Sequence, residues 1–242
     1  MQIITAAVIK GGTGKTTTAA ALAQAAAAAG NRVLAIDLDP QANYTLTLGA
    51  DTNAAGGYEL LHGAEAKTLI QHTEQGIDVI AASPDLATEH TKAGSIKRLQ
   101  EAIKPLKRNY DFIFIDTPPT MGELTYNALQ ASTGLIIPLE ADTNSLQGLY
   151  QIADIAHQMQ AHNDKLKIKG VILTRFDKRP KINRHLQKEI EAADKAEATS
   201  FLMAIRAGVA IREAQALQVS LYQYAPRSKP AQDYKQLFGM IK

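Results

Sequence analysis

The chain has 242 residues, with 26 Lys+Arg against 24 Asp+Glu, a formal net charge of +2, and 45% hydrophobic residues. At about 100–200 residues per domain this is one large domain or two small ones, and the near balance of charge excludes a histone-like tail or an acidic disordered chain. There is no cysteine, which excludes disulfides, thiolate zinc sites, cysteine-ligated iron–sulfur clusters and a thiol nucleophile.

In chain order, short apolar runs predict strands over residues 3–9, 32–37, 77–81, 111–116, 134–139, 168–174 and 199–205. Runs such as Phe112-Ile113-Phe114-Ile115 and Gly170-Val171-Ile172-Leu173 do not alternate, which suits strands covered on both faces of a parallel sheet. Helical patterns fall between them, over 15–29, 95–106, 122–131, 145–162, 182–193 and 230–241. The first stops at Gly30-Asn31, a good helix terminator. Residues 51–66, with Gly56, Gly57 and Gly63, read as irregular surface structure. Strand–helix alternation over the whole length predicts an α/β fold, a doubly wound, mostly parallel sheet with helices on both faces, as a single domain over residues 1–242. Met1-Gln2-Ile3-Ile4-Thr5 has no basic segment before its apolar run, and no window reaches about 18 uninterrupted apolar residues. The expectation is a cytoplasmic protein without signal peptide or membrane span.

Between the first strand and first helix stands Ile9-Lys10-Gly11-Gly12-Thr13-Gly14-Lys15-Thr16-Thr17. Glycines let backbone amides turn inward and cradle phosphate oxygens, and the helix N-terminus adds its positive dipole end. The common phosphate-loop pattern has glycine five residues before Gly14, where Ile9 stands, and Lys10 opens the loop. A glycine-rich turn that binds nothing is the bland alternative. Three glycines, two lysines and Thr16 in register on a strand–loop–helix favour phosphate, with Lys15 reaching the β/γ-phosphates and the Thr16 hydroxyl ligating Mg²⁺.

Three carboxylates end strands. Asp37 and Asp39 close the second strand as Asp37-Leu38-Asp39-Pro40-Gln41. Alternation along an extended segment points both the same way, beside the phosphate crevice. In isolation Asp39 reads as a helix N-cap with Pro40 at the first helical position. Asp116 follows four apolar residues and precedes Thr117-Pro118-Pro119. That suits water-mediated contact to Mg²⁺, the alternative being a strand-ending cap.

The Lys-Gly-Gly-x-Gly-Lys-Thr form and the Asp-Leu-Asp-Pro-Gln segment resemble the deviant Walker A and second motifs of the ParA/MinD ATPases. Ile137-Pro138-Leu139-Glu140, Ser145-Leu146-Gln147-Gly148-Leu149, Gly170-Val171-Ile172-Leu173-Thr174-Arg175-Phe176-Asp177, Glu213-Ala214 and Tyr224-Ala225-Pro226-Arg227-Ser228 extend the likeness. Within that family the chain is most similar to the ParA/Soj partition ATPases, in the short form without an N-terminal helix-turn-helix. The resemblance implies ATP and Mg²⁺ as cofactors, with the nucleotide held by Lys10, Gly11, Gly12, Thr13, Gly14, Lys15, Thr16 and Thr17. It implies Lys10 reaching across a homodimer to the partner's nucleotide, Asp39 orienting the attacking water, and Asp37 in the outer shell of Mg²⁺. It further implies nonspecific duplex DNA and a ParB-like protein as partners, and a nucleoid-associated location.

Two departures stand out. Arg206-Ala207-Gly208 occupies the place of the family's Pro-Arg-Asn, where the adenine ring binds, and an arginine used for DNA falls on Ala210. The family's other DNA-associated arginine falls on Arg179, among Lys178, Lys181 and Arg184, with Arg206 and Arg212 later. Such clusters are commonly solvated faces, and dimerisation would double the basic surface for sequence-independent phosphate contacts. A second reading is a MinD-like, membrane-recruited regulator, resting on Tyr234, Leu237, Phe238 and Ile241 at helical spacing near Lys235 and Lys242. A GTPase would want Asn-Lys-x-Asp where Thr174-Arg175-Phe176-Asp177 stands.

Overall fold

The computed structural model describes residues 1–89, 95–142, 145–196 and 201–242. Within them eight strands form one sheet: β1 (Gln2–Ala6), β2 (Val33–Asp37), β3 (Gln71–His72), β4 (Asp78–Ile80), β5 (Phe112–Asp116), β6 (Gly134–Leu139), β7 (Lys167–Phe176) and β8 (Phe201–Arg206). The helices are α1 (Lys15–Ala28), α2 (Asn43–Thr47), α3 (Gly57–Leu61), α4 (Arg98–Ala102), α5 (Glu123–Ala131), α6 (Ser145–Gln160), α7 (Lys181–Ala196), α8 (Ala210–Ala216), α9 (Leu221–Tyr224) and α10 (Lys229–Ile241). Strand order is β3-β4-β2-β5-β1-β6-β7-β8. All pairings are parallel except the short edge strand β3, which runs antiparallel to β4.

Successive residues of the central strands feed opposite faces. Phe112 and Phe114 join Ile4, Ala6, Val33 and Ala35 under α1 and α10. Ile113 and Ile115 join Ile3, Leu34 and Ile36 under α3, α4 and α5. Leu135, Ile137, Val171 and Leu173 lie under α6. Burial on both faces is why these strands read as unbroken apolar runs. The alanines of α1 let it lie deep against the sheet: Ala19, Ala20, Ala21, Ala23, Ala25 and Ala26 are all buried. It ends where expected, Gly30 taking φ +83° and the Asn31 side chain donating to Ala26 O at 2.9 Å.

Several expectations change. The helix expected over 95–106 is broken: a 3₁₀ turn (Ser95–Lys97), α4, and a second 3₁₀ turn (Lys104–Leu106) containing Pro105, whose ring removes a donor and restricts Lys104. The stretch 51–66 holds α3, where the Glu59 carboxylate accepts from Gly56 N at 2.7 Å and Leu60 and Leu61 are buried. The strand expected over 199–205 is β8; residues 199 and 200 lie outside the described residues. The apolar stripe of α10 does not face outward. Tyr234, Leu237, Phe238 and Ile241 are buried, with Phe238 edge-on to Phe112 at 5.2 Å. The surface that a membrane-binding helix would need is therefore the one α10 packs onto the sheet. No described helix is long and apolar enough to cross a membrane.

Candidate functional site: the loop between β1 and α1

β1 sits between β5 and β6, so the chain leaves it at the point where strand order reverses and a crevice opens at the carboxyl ends. Gly12 and Gly14 take φ +77° and +90°, the left-handed region that L side chains avoid. A Cβ on Gly14 would also stand 3.3 Å from Thr174 Cγ2. Alternation of such left-handed residues with ordinary ones is the backbone pattern that turns successive amides toward an anion. None of the backbone N–H groups of Gly11, Gly12, Thr13 and Gly14 has a hydrogen-bond partner among the described residues, although Thr13 is wholly buried. Such unpartnered amides at a helix N-terminus suit an anion.

Lys15, buried, donates from Nζ to Lys10 O at 3.1 Å. Burial lowers its ammonium pKa, while Asp116 and Asp39 raise it. Thr16 donates its hydroxyl to Asp116 Oδ2 at 2.6 Å. Asp116 Oδ1 is buried without a partner among the described residues. Asp116 and Asp37 are register partners at the ends of adjacent strands. Burial, then the charge of Asp37, pushes Asp116 well above the usual carboxylate range, against the Thr16 hydrogen bond and Lys15. Burial pushes Asp37 up to about 6, against hydrogen bonds from Thr45 and Asp39 that pull it down.

Asp37 and Asp39 occupy different environments, because β2 ends at Asp37 and alternation stops there. Asp37 accepts from Asp39 N at 3.0 Å and from Thr45 N and Oγ1 at 2.9 and 2.8 Å. Asp39 lines a cavity of about 740 Å³ with Gly11, Lys15, Thr16, Asn43 and Arg175. It is not a helix cap: its Oδ1 accepts from Gln41 N at 3.0 Å, closing a turn, and α2 starts only at Asn43. Thr17 lines the same cavity and accepts from Gln215 Nε2 at 3.3 Å. The Lys10 ammonium forms an ion pair with Asp142.

The basic residues separate into two groups. Lys178, Arg179, Lys181 and Arg184 are all exposed, on the turn after β7 and the first turn of α7. Arg179 forks onto Asp177, Nη2 to Oδ2 at 2.7 Å. Arg206 and Arg212 instead line a second cavity of about 630 Å³ with Gly14, Thr174, Gln215 and Tyr234. Arg206 is bound by Asp233, with Nη2–Oδ1 at 2.6 Å and Nε–Oδ2 at 2.9 Å. Arg212 makes no ion pair or hydrogen bond among the described residues. The motifs did not single out Thr45, which holds Asp37, or Arg175, which donates to Gly12 O and pairs with Glu140.

A parallel sheet flanked by helices, with a glycine loop, buried lysine and strand-end carboxylates at its switch point, defines an α/β protein of the P-loop class. Residues 1–168 match the family model described as an AAA domain. The chain is 36% identical over 247 residues to the sporulation initiation inhibitor protein Soj of Bacillus subtilis, covering 98% of this chain and 96% of that one. It is 34% identical over 230 residues to the chromosome-partitioning ATPase Soj of Thermus thermophilus, covering 94% and 90%. The crystal structure of cobyrinic acid a,c-diamide synthase from Mycobacterium smegmatis, with bound ADP and magnesium, superposes with a TM-score of 0.84 at 29% identity, covering 99% of this chain and 93% of that one. The chain belongs to the Soj/ParA family of chromosome-partitioning ATPases.

Proposed function

We propose that this protein is a Mg²⁺-dependent partition ATPase. It binds ATP on the loop of residues 10–17, pairs as an ATP-sandwich homodimer, and holds duplex DNA without sequence preference on the nucleoid. It is reset by hydrolysis that a ParB-like partner stimulates. The observation that carries the reading is the Thr16–Asp116 hydrogen bond beside four unpartnered loop amides, in a chain of the Soj/ParA family.

The residues present fit Mg²⁺ held together with a phosphate. Asp39 and Asp116 act on Lys15, Asp37 acts on Asp116, and the buried Asp116 Oδ1 lacks a partner among the described residues. Among the described residues no group of three acidic or histidine side chains is arranged to hold a metal alone. Mg²⁺ ordinarily takes few protein ligands and completes its shell with phosphate oxygens and water. When bound, the ion supplies positive charge against the phosphates. The Thr16 hydroxyl would hold the ion through a lone pair while still donating its proton to Asp116, whose Oδ1 would be left to accept a hydrogen bond beside it. Asp37 serves that shell indirectly, fixing the Asp39 turn and Thr45. Lys15 exchanges the Lys10 carbonyl for phosphate oxygen, and Asp39 orients the water that attacks. Lys10 leaves Asp142 to reach the partner's nucleotide. Lys178, Lys181 and Arg184, with Arg212, supply positive charge toward DNA, while Arg179 and Arg206 are held by Asp177 and Asp233.

The test is retention of duplex DNA by the protein with ATP, with ADP and with no nucleotide, alongside ATP turnover. Retention with ATP alone, insensitive to DNA sequence, is expected. Equal retention in all three states, or no turnover with Mg²⁺, refutes the reading.

A further inference from the structure

β7 ends irregularly. Its register with β8 shifts between Leu173 and Phe176, and Arg175 there takes φ +50°, a conformation that costs a long side chain strain energy. The two residues at this kink, Thr174 and Arg175, both reach the loop between β1 and α1. The Arg175 guanidinium donates to Gly12 O, across 163 residues of sequence. The Thr174 hydroxyl, buried, stands 2.7 Å from Thr13 O and 3.0 Å from Leu139 O. Consecutive loop carbonyls are thus held by consecutive residues of one strand end.

In a trans peptide the carbonyl of one residue and the amide of the next point to opposite sides. Fixing Gly12 O on Arg175 therefore turns the Thr13 N–H away from Arg175. Fixing Thr13 O on Thr174 likewise turns the Gly14 N–H away from Thr174. Both amides lack any partner among the described residues. Lys15 does the same two peptides before the Gly12–Thr13 link: its Nζ holds Lys10 O, leaving the Gly11 N–H opposite. A loop whose amide directions are set before the anion arrives loses less ordering entropy on binding. Thr174 also packs at the place where Gly14 has no side chain, so the clamp and the glycine fit together. Arg175 lines both cavities beside the loop, and Glu140 neutralises the guanidinium from the other side.

We infer that Thr174 and Arg175 are positioning residues that preset the amide directions of the phosphate loop, acting through the Thr13 and Gly12 carbonyls. The inference rests on the proposed nucleotide site. It makes a demand that a direct phosphate ligand would not. Presetting the loop favours every phosphate-bearing nucleotide alike, so its loss raises KM and leaves kcat in place.

The experiment is calorimetric binding of MgADP and of a nonhydrolysable MgATP analogue, with steady-state ATPase kinetics, on Arg175→Ala, Arg175→Gly, Arg175→Lys, Thr174→Val, Thr174→Ser and Lys15→Ala. Arg175→Gly relaxes the positive φ, so it separates the guanidinium from the backbone strain and carries the test if Arg175→Ala folds poorly. Thr174→Ser does the same for Thr174→Val by keeping the hydroxyl. Loss of one charged donor to a carbonyl is expected to weaken both nucleotides by the same factor, about tenfold. KM should rise in step and kcat stay within about twofold. Arg175→Lys should recover part of the affinity and Thr174→Ser most of it. Unchanged affinity in folded Arg175→Gly overturns the inference. So does a loss for the ATP analogue that far exceeds the loss for ADP, which would make Arg175 a direct γ-phosphate ligand. Lys15→Ala keeps the two levels apart. If it abolishes binding while Arg175→Gly binds normally, only the positioning role fails; if it binds normally, the nucleotide site itself is refuted.

Discussion

Thr16 Oγ1 donates to Asp116 Oδ2 at 2.6 Å, joining the first turn of α1 to the end of β5. A hydroxyl can give its proton to a carboxylate and a lone pair to a cation at once, so the contact leaves Thr16 free to serve the Mg²⁺ of the proposed site. Thr16→Ala should make nucleotide affinity nearly independent of Mg²⁺, and Thr16→Ser should restore the dependence. A loss of about tenfold in the Mg²⁺-supported affinity corresponds to roughly 1.4 kcal/mol. Calorimetric titration with and without Mg²⁺ measures it, and an undiminished Mg²⁺ effect in Thr16→Ala contradicts the assignment.

The two lysines of the loop separate by what holds them. Lys15 is buried on the Lys10 carbonyl, whereas the Lys10 ammonium lies on Asp142. Lys15→Ala should abolish nucleotide binding by the monomer. Lys10→Ala should keep that binding and lose the ATP-dependent dimer and turnover. Light scattering with and without ATP, read beside binding, distinguishes them. A Lys10→Ala protein that dimerises and hydrolyses normally removes the cross-subunit role.

Asp39 closes a turn with Gln41 N, and asparagine makes the same turn with its own side-chain oxygen. Asp39→Asn should therefore keep fold and nucleotide affinity, with its melting temperature within about 2–4 °C of the parent, the shift produced by roughly 1 kcal/mol in a chain of this size. ATP turnover should cease, because a carboxamide is a poor proton acceptor for an attacking water. Retained turnover in the folded variant assigns Asp39 to the turn alone.

The sheet and the loop were legible because their signals are local. Strands buried on both faces read as apolar runs, and Gly12, Gly14, Lys15 and Thr16 fall within a single segment. Helices of four to seven residues, α2, α3, α8 and α9, are too short for a helical period to show. Nothing adjacent in sequence announces that Thr45 holds Asp37, that Arg175 meets Gly12, or that Asp233 takes Arg206. The sequence shows charges in clusters; pairing across the fold decides which remain available.

The eight tyrosines and absence of tryptophan give a clean view of alkaline behaviour. Burial raises the phenols of Tyr44, Tyr110 and Tyr222, and pushes Tyr234 up to about 12. Unfolded tyrosines ionise near 10. Above that pH the unfolded chain releases protons that the folded chain keeps, so stability falls as pH rises from about 10 toward 12. Phenolate absorbance should rise in two stages, the second coinciding with loss of the helical circular dichroism signal. Tyr234→Phe should reduce the slope of stability against pH in that window. A single stage completed while the helices remain intact contradicts the burial of these phenols.

Arg179 is exposed but not electrically alone. Its guanidinium forks onto Asp177, whose carboxyl is pulled down to about 2 by hydrogen bonds from the Arg179 side chain and backbone. Asp177 therefore stays ionised through the working pH range, and the pair presents little net charge to a DNA phosphate. Lys178, Lys181 and Arg184 carry the positive charge of the segment outside that pair. On duplex DNA each phosphate contact contributes about −0.9 to the slope of log affinity against log salt, and a symmetric dimer repeats every contact twice. Asp177→Asn should release Arg179, tighten ATP-dependent DNA binding and steepen the slope by roughly two units, while Arg179→Ala should do little alone. Joint replacement of Lys178, Lys181 and Arg184 by alanine should flatten the slope by about five units and weaken binding to all sequences alike. Turnover without DNA should persist in each variant, since none of these residues lines the cavity at the loop. Filter binding across a salt series measures the slopes. If the triple variant binds with the parent's slope, this segment is a solvated face, and the DNA surface belongs elsewhere on the dimer, with the exposed Arg212 as the next position to replace.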